Sequence, residues 1–335
     1  MQNKQTVTIQ RLTALWALGE SGLGGWMHAL KLPFTGIFVG GFAVACIALI
    51  AHYCRNNMRI MLQALLLVLL VKFTVSPQSP LPAYFAVAFQ GVIGAIFYRL
   101  ISNYTVASVL FAFIAMLESG AQKIIIMTLI FGKSLWEAID AFFGGILKDF
   151  SLPQDMPFSY WVIGLCMGLY AVWGLVLGAW LSGLPKRLEL RSAGIIEEYK
   201  RLAPASNEST PAQPRTKRRI KWFMPLVFAF IILIFLFSDN INSFNKAGYL
   251  VLRTVAVVLF LFYVLSPALR WLMVRWLNNR KAEQSEALRS ILMLQPELRQ
   301  LLKPSWQMSK AKHQGLRRYP AFVTNMITLT LHPIE

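Results

Sequence analysis

The stretch YTVASVLFAFIAMLESGAQKIIIMTLIF, residues 104–131, decides the fold class of this protein. At about 1.5 Å per residue, a helix over this stretch exceeds the roughly 30 Å hydrocarbon core of a bilayer. Only a helix or a closed barrel satisfies its backbone hydrogen bonds in lipid, so the stretch predicts a transmembrane helix.

Polar side chains inside this helix are candidate functional residues, because polar groups are costly in lipid. Glu118 and Gln122 are four residues apart and therefore share a helix face, with Lys123 next in the chain. The three residues predict either a polar pocket for a small solute or a Glu–Lys ion pair that fixes helix packing.

The composition of the whole chain indicates a membrane protein. Its 335 residues are 56% hydrophobic and only 14% charged, whereas soluble domains average roughly 45–50% and 25%. The mean hydropathy is +0.53. A water-soluble globule cannot bury that much apolar surface, so we predict an all-α integral membrane protein.

Eight apolar stretches are long enough to predict membrane spans. They lie near residues 8–24, 34–54, 58–75, 80–101, 104–131, 157–182, 222–238 and 247–266. The first is the weakest, because Glu20, Ser21 and three glycines dilute it. Arginines in the short loops lie at alternate ends of consecutive spans, which by the positive-inside rule predicts that both termini are cytoplasmic.

The predicted organisation is a six-span helical bundle followed by a two-span module with cytoplasmic amphipathic helices. Most of the net charge of +18 falls in the second half of the chain, where a Pro/Ser/Ala-rich stretch at 203–214 predicts a flexible linker. The predicted parts are a six-span module (1–182), a basic cytoplasmic linker (183–219), a two-span module (220–266) and a basic cytoplasmic tail (267–335).

Motifs for several chemistries are absent from the sequence. It has no P-loop, no Rossmann glycine fingerprint, no HExxH and no GxSxG. Its four histidines are scattered, and its three cysteines lie singly in apolar runs. We therefore predict no catalytic residue, no metal site and no cofactor, and expect any ATP energy to come from a separate polypeptide. The basic residues flank spans without interleaved aromatics, so no nucleic-acid partner is expected.

Three further residues in the first module are candidates for contact with a solute. Gln90, inside the fourth predicted span, predicts either a ligand contact or an interhelical hydrogen bond. Trp26 and His28 lie in the first external loop, which either folds over a pocket or rests in the headgroup zone.

Small residues recur every four positions in the first predicted span, at Thr13, Ala17 and Ser21. Such a stripe allows helices to approach closely. It predicts contact either with another subunit or with a neighbouring helix of the same module.

An apolar seam runs along the charged tail at intervals of three and four residues, which is typical of an amphipathic helix. Its residues are Ala287, Ile291, Leu294, Leu298 and Leu301. The seam suits either the groove of a partner protein or an anionic membrane surface. Pro296 is expected to interrupt it and to produce two short helices.

Three stretches of the first module carry a family resemblance: GLGGWMHALKLPFTGIFVGGFA (22–43), SPLPAYFAVAFQGVIGAIFYRL (79–100) and ESGAQKIIIMTLIFGKSLWEAI (118–139). With the six spans and the small-residue stripe, residues 8–182 resemble the substrate-capture (S) components of energy-coupling-factor transporters. The resemblance implies that the stripe faces a coupling (T) subunit and that a solute site lies near the outer face. The implied site residues are Glu118, Gln122, Lys123, Gln90, Trp26 and His28.

Residues 214–302 more distantly resemble a shortened T component. The stretch PRTKRRIKWFMPLVFAFIILIF (214–235) resembles that family's opening, and SPALR (266–270) and SEALR (285–289) resemble its alanine–arginine coupling helices. The resemblance implies ATPase and coupling subunits as partners. The residues implied at that interface are Ala268, Arg270, Ala287 and Arg289.

These features together predict a component of a small-molecule, vitamin-like uptake system in the bacterial inner membrane, with membrane lipids and the solute as further partners. The alternative is a non-transporting membrane scaffold whose basic tail recruits proteins. A polar cavity around Glu118 would favour the transporter, and an apolar filling would favour the scaffold.

Overall fold

The computed structural model describes residues 2–23, 36–76, 79–149, 157–202, 252 and 255–332. These residues form helices and their connections, with no strand among them, which confirms the predicted all-α class for the described part of the chain. The α-helices are α1 (Gln2–Leu18), α2 (Gly41–Tyr53), α3 (Met58–Val75), α4 (Leu81–Leu100), α5 (Tyr104–Phe131), α6 (Lys133–Asp149), α7 (Phe158–Ser182), α8 (Leu184–Leu202), α9 (Ser266–Glu283), α10 (Ser285–Gln300), α11 (Leu302–Lys312) and α12 (Arg318–Leu331). Short π-helical turns cover Gly19–Leu23, Gly36–Gly40 and Phe260–Leu265, and a 3-10 turn covers Gly315–Arg317.

Among the described residues, six helical segments are long and apolar enough to cross a membrane, as expected of a multi-pass membrane protein. They are Gly36–Tyr53, Met58–Val75, Leu81–Leu100, Tyr104–Phe131, Phe158–Ser182 and Val255–Lys281. Five match predicted spans closely, and the sixth overlaps the predicted span at 247–266. The predicted span at 222–238 lies outside the described residues. The predicted span at 8–24 is helical through Leu23 but is not among the six.

Asparagines fix the starts of two span-length helices. The Asn57 side chain accepts hydrogen bonds from the backbone N–H groups of Arg59 and Ile60, at 3.1 and 3.4 Å, and so caps α3. Asn103 caps α5 in the same way, which satisfies N–H groups that have no partner within the helix. The turn before α3 is tight, because Arg55 and Asn56 both adopt positive φ angles.

Contacts divide the chain into two compact units. The first comprises the described residues of 1–122, 164–204 and 276–335, and the second those of 123–163 and 205–275. The boundaries predicted from the sequence at 182, 219 and 266 remain a prediction.

Helix α1 is the centre of the first unit. Every residue from Arg11 to Ser21 is buried, and the helix packs against α2, α3, α10 and α12. Near its start, Gln5 Nε2 donates to the Tyr53 carbonyl at the end of α2, and beyond its end Glu20 contacts Lys72 near the end of α3. The α1 segment therefore runs the length of two span-length helices. Because other helices surround it, it does not need an apolar surface for lipid.

In the second unit, helix α6 supports the start of α7. Asp140 accepts hydrogen bonds from the backbone N–H and the hydroxyl of Ser159, at 2.6 and 2.9 Å. The rings of Phe143 and Phe158 stack with their centroids 3.7 Å apart. A carboxylate at a helix N-terminus is favourable both as a cap and through the helix dipole, so Asp140 fixes where α7 begins.

The predicted interruption at Pro296 is wrong, because α10 continues through it as one helix. A proline removes only its own N–H from the helical ladder, although its ring also crowds the preceding turn. Tertiary contacts on both sides offset that cost. Ile291 and Leu298 are fully buried, and Gln295 Nε2 donates to the Ala14 carbonyl at 2.8 Å.

Candidate functional site

Two of the predicted site residues join α4 to α5. Gln90 is buried, and its Nε2 lies 3.5 Å from the Ser119 hydroxyl oxygen. Gln122 Nε2 donates to the Pro82 carbonyl at 2.8 Å. Both amides therefore take part in interhelical hydrogen bonds, which is the structural alternative considered for Gln90.

The π-helical turn at Gly36–Gly40 lies directly against this contact. A Cβ built on Gly40 would lie 3.1 Å from Gln90 Nε2 and 3.2 Å from the terminal methyl of Met116. A side chain at this position would push the ends of Gln90 and Met116 aside by a few tenths of an ångström, so glycine allows the closest approach of the backbone. The start of the Gly36–Tyr53 segment, α4 and α5 thus meet at Gln90.

Glu118 differs from its neighbours, because its charged atoms have no protein partner. Both carboxylate oxygens are buried, and no described residue donates a hydrogen bond to either. Neither oxygen accepts a hydrogen bond from Lys123, the other member of the alternative ion pair. Burial of a polar group without a hydrogen bond costs about 2–7 kcal/mol, and more for a charge. The carboxyl of Glu118 is therefore suited to a bound group that donates hydrogen bonds or carries positive charge.

The loop residues predicted to cover this site, Trp26 and His28, lie outside the described residues. Their role remains a prediction. The structure brings Gln90 and Gln122 to the same α4–α5 contact, and Glu118 precedes Gln122 by one turn on α5.

A buried ion pair that the sequence did not predict lies between α1 and α3. Lys72 Nζ is 2.6 Å from a Glu20 carboxylate oxygen, and the two side chains are 4% and 6% exposed. The same ammonium lies 3.5 Å from the Ala83 carbonyl and 5.7 Å from the centre of the Tyr84 ring, so it also contacts α4. The available signal was two opposite charges placed near the same end of two predicted spans.

Helix α1, which carries the predicted small-residue stripe, contacts α10 and α12 of the same chain through polar side chains. Arg11 Nε donates to the Thr330 carbonyl at 2.6 Å, and its guanidinium also pairs with Glu297. Together with the Gln295–Ala14 hydrogen bond, these contacts hold α10 and α12 on α1.

The small-residue stripe and the apolar seam are both largely buried in this first unit. The fully or nearly fully buried members are Thr13, Ala17, Ser21, Ile291, Leu298 and Leu301, while Ala287 and Leu294 are half-buried. The seam was expected to meet a partner protein or lipid. Within the chain, α10 packs against α1 and α3, and the buried seam residues lie on this helix and at its end. A partner protein or lipid at the seam remains a prediction.

The remaining residues of the predicted ATPase interface are distributed over both units. Ala268 on α9 and Arg289 on α10 are exposed. The side chain of Arg270 lies outside the described part of the structure. Their role in binding an ATPase remains a prediction.

Among the described residues, no group of three or more His, Cys, Asp or Glu side chains is placed to hold a metal ion.

The chain was compared with protein-family models, with curated proteins and with solved structures. None of the three comparisons finds a match.

Proposed function

We propose that this protein is a membrane component of a small-molecule uptake system, which captures a solute in its first module and relies on a separate ATPase. The observation that carries the proposal is the Glu118 carboxylate, whose buried oxygens lack a partner beside the polar α4–α5 contact. A buried polar group left unpaired in a helix of span length is a functional candidate by default. The solute would supply the missing donor.

The contact between α1 and the C-terminal helices also supports this proposal. If a capture module and a coupling module are joined in one chain, the small-residue stripe of the first should pack against helices of the second. The Arg11–Glu297 pair and the Gln295–Ala14 hydrogen bond join these two parts of the sequence. We further propose a bacterial inner-membrane location with both termini in the cytoplasm, which rests on the distribution of arginines.

The test is mass spectrometry of the small molecules that remain bound to the gently purified full-length protein. Glu118→Gln keeps the shape of the side chain and removes its charge. We expect this variant to lose the co-purifying solute about tenfold or more, because hydrogen bonds to charged groups contribute about 1.5–3 kcal/mol. Glu137→Gln is the matched control, since Glu137 is exposed on α6.

Equal solute content in the wild type and in Glu118→Gln, with both folded, would refute the role of Glu118.

A second candidate function is a non-transporting scaffold, and one observation favours it. The amides of Gln90 and Gln122 already bind neighbouring helix groups and are not directed at a free space. The scaffold predicts that no small molecule co-purifies with the wild type, while proteins do.

A further inference from the structure

A cavity of about 250 Å³ lies in the first unit, where α1 and its following π-helical turn meet the C-terminal helices. It is separate from the α4–α5 contact, and nothing in the proposed function uses it. Its wall is almost wholly apolar. The apolar side chains that line it are Leu15, Leu18, Phe42, Leu302, Phe322 and Met326.

The size of the cavity sets the kind of molecule it can hold. Engineered apolar cavities of about 150 Å³ stay free of water and bind benzene. A cavity of about 250 Å³ therefore accepts a larger apolar body, such as a short hydrocarbon chain. Ligand pockets combine such a wall with few polar groups that fix orientation.

Among the described residues of the wall, Arg299 is the one charged side chain. The ion pairs among the described residues include Arg11–Glu297, Lys72–Glu20, Arg201–Glu197 and Lys312–Glu198, and Arg299 takes part in none of these. Glu297, two residues before it, is engaged with Arg11. Arg299 is exposed, so its guanidinium is accessible to a ligand that enters the cavity.

We propose that this cavity binds an apolar chain that ends in an anionic group, with the chain against α1 and α12 and the anion on Arg299. A guanidinium presents a planar fork that pairs with a carboxylate or a phosphate through two hydrogen bonds. Two sources share this chemistry: a free aliphatic carboxylate and the acyl chain of an anionic phospholipid.

Because of the position of the cavity, a bound ligand affects the stability of the fold. One wall belongs to α1 and α2, and the other to α10, α11 and α12. A ligand that binds only when these walls are together stabilises the packing of the C-terminal helices on α1 by mass action. A bound ligand therefore strengthens the packing of the C-terminal helices on α1, to which Arg11 and Gln295 also contribute.

The test uses the full-length protein in nanodiscs of zwitterionic phosphatidylcholine, with decanoate as the probe and calorimetry as the readout. We expect decanoate to bind and decanol, which lacks the anion, to bind about tenfold more weakly. Arg299→Gln should weaken decanoate about tenfold and leave decanol unchanged. The matched control is Lys303→Gln, which removes an exposed charge outside the cavity and should leave the affinity for decanoate within about twofold.

A second variant tests the cavity itself. Among the described residues, a Cβ at Gly22 would meet only a Leu18 methyl at 3.5 Å, so we expect Gly22→Leu to be tolerated and, because Gly22 lines the cavity, to fill part of it. We expect it to abolish binding of both probes. Repeating the titration in nanodiscs with anionic phosphatidylglycerol separates the sources: loss of decanoate binding there identifies the phospholipid chain as occupant, and undiminished binding identifies the free carboxylate. Unchanged decanoate affinity in Arg299→Gln, or an equal loss in Lys303→Gln, would overturn the proposal.

Discussion

The Glu20–Lys72 pair shows how much a single residue can control in this protein. Both side chains are almost fully buried, and together they connect the end of the α1 segment to α3 and α4. The attraction between two buried charges only roughly offsets the cost of removing them from water. Loss of one partner is different, because it leaves the other charge buried and unpaired.

We therefore expect Glu20→Gln to lower the apparent free energy of unfolding by about 3–5 kcal/mol, measured by thermal or denaturant unfolding in nanodiscs. The double variant Glu20→Leu with Lys72→Met should recover most of that loss, since it replaces the pair by apolar groups. The exposed Glu197–Arg201 pair is the control, because Glu197→Gln should cost no more than about 1 kcal/mol. A double variant as unstable as Glu20→Gln would contradict this account.

At this scale the sequence predicted some relationships and not others. Relationships between residues close in the chain could be predicted. The spacing of Glu118 and Gln122 placed them on one helix face, and α5 is helical throughout that region. The Glu20–Lys72 pair joins distant parts of the chain. Helical periodicity does not say which helices are neighbours, so it could not predict that contact.

At the scale of helices, the hydropathy of a segment reports how much of its surface faces lipid. It does not report whether a helix surrounded by other helices runs the full length of the bundle. This explains why α1 gave the weakest predicted span, although it lies along the whole of α2 and α3. Packing between helices follows a second signal, which the sequence contains as Gly174-Leu-Val-Leu-Gly178 on α7. That pattern of small residues allows close backbone contact in membranes.

The two glycines of this motif meet the backbone of α5. A Cβ on Gly178 would lie 2.5 Å from the Val109 Cα, and one on Gly174 would lie 2.8 Å from the Phe113 Cα. Because backbone atoms cannot rotate away, Gly178→Leu should separate the helices and cost about 1–3 kcal/mol or more. A Cβ at Gly168 on the same helix would meet none of the described residues within 4 Å, so Gly168→Leu should be tolerated. The yield of monodisperse protein and the unfolding temperature in detergent measure the difference. Equal behaviour of the two variants would contradict a close contact between α5 and α7.

At the scale of the whole molecule, the sequence predicted a capture module and a tail but not their association in one unit. Residues 276–335 belong to the same compact unit as residues 1–122. The amphipathic pattern predicted an apolar face that includes Ile291 and Leu298, and both side chains are buried. It could not identify α1 as the surface that buries them, because that surface lies almost 300 positions earlier in the chain.

This association leads to a prediction for the full-length protein. A protease site placed within 203–214 allows the chain to be cut after it has folded, and the two fragments should then elute together on size exclusion in detergent. Burial of apolar area holds them at about 25 cal/mol per Å², which salt barely weakens. The Arg11–Glu297 pair is sensitive to salt but is only one of several contacts.

Ile291→Ser combined with Leu298→Ser should release the fragments at any ionic strength, because both side chains are fully buried. Met293→Ser, on the same helix but 71% exposed, is the matched control and should leave them joined. The opposite pattern, in which the double variant stays joined while the unaltered protein separates at high salt, would mean that charges alone hold the C-terminal helices on α1. We expect the apolar contact to dominate, because Leu288, Ile291 and Leu298 are buried on α10, which packs against α1, whereas one ion pair joins these two helices among the described residues.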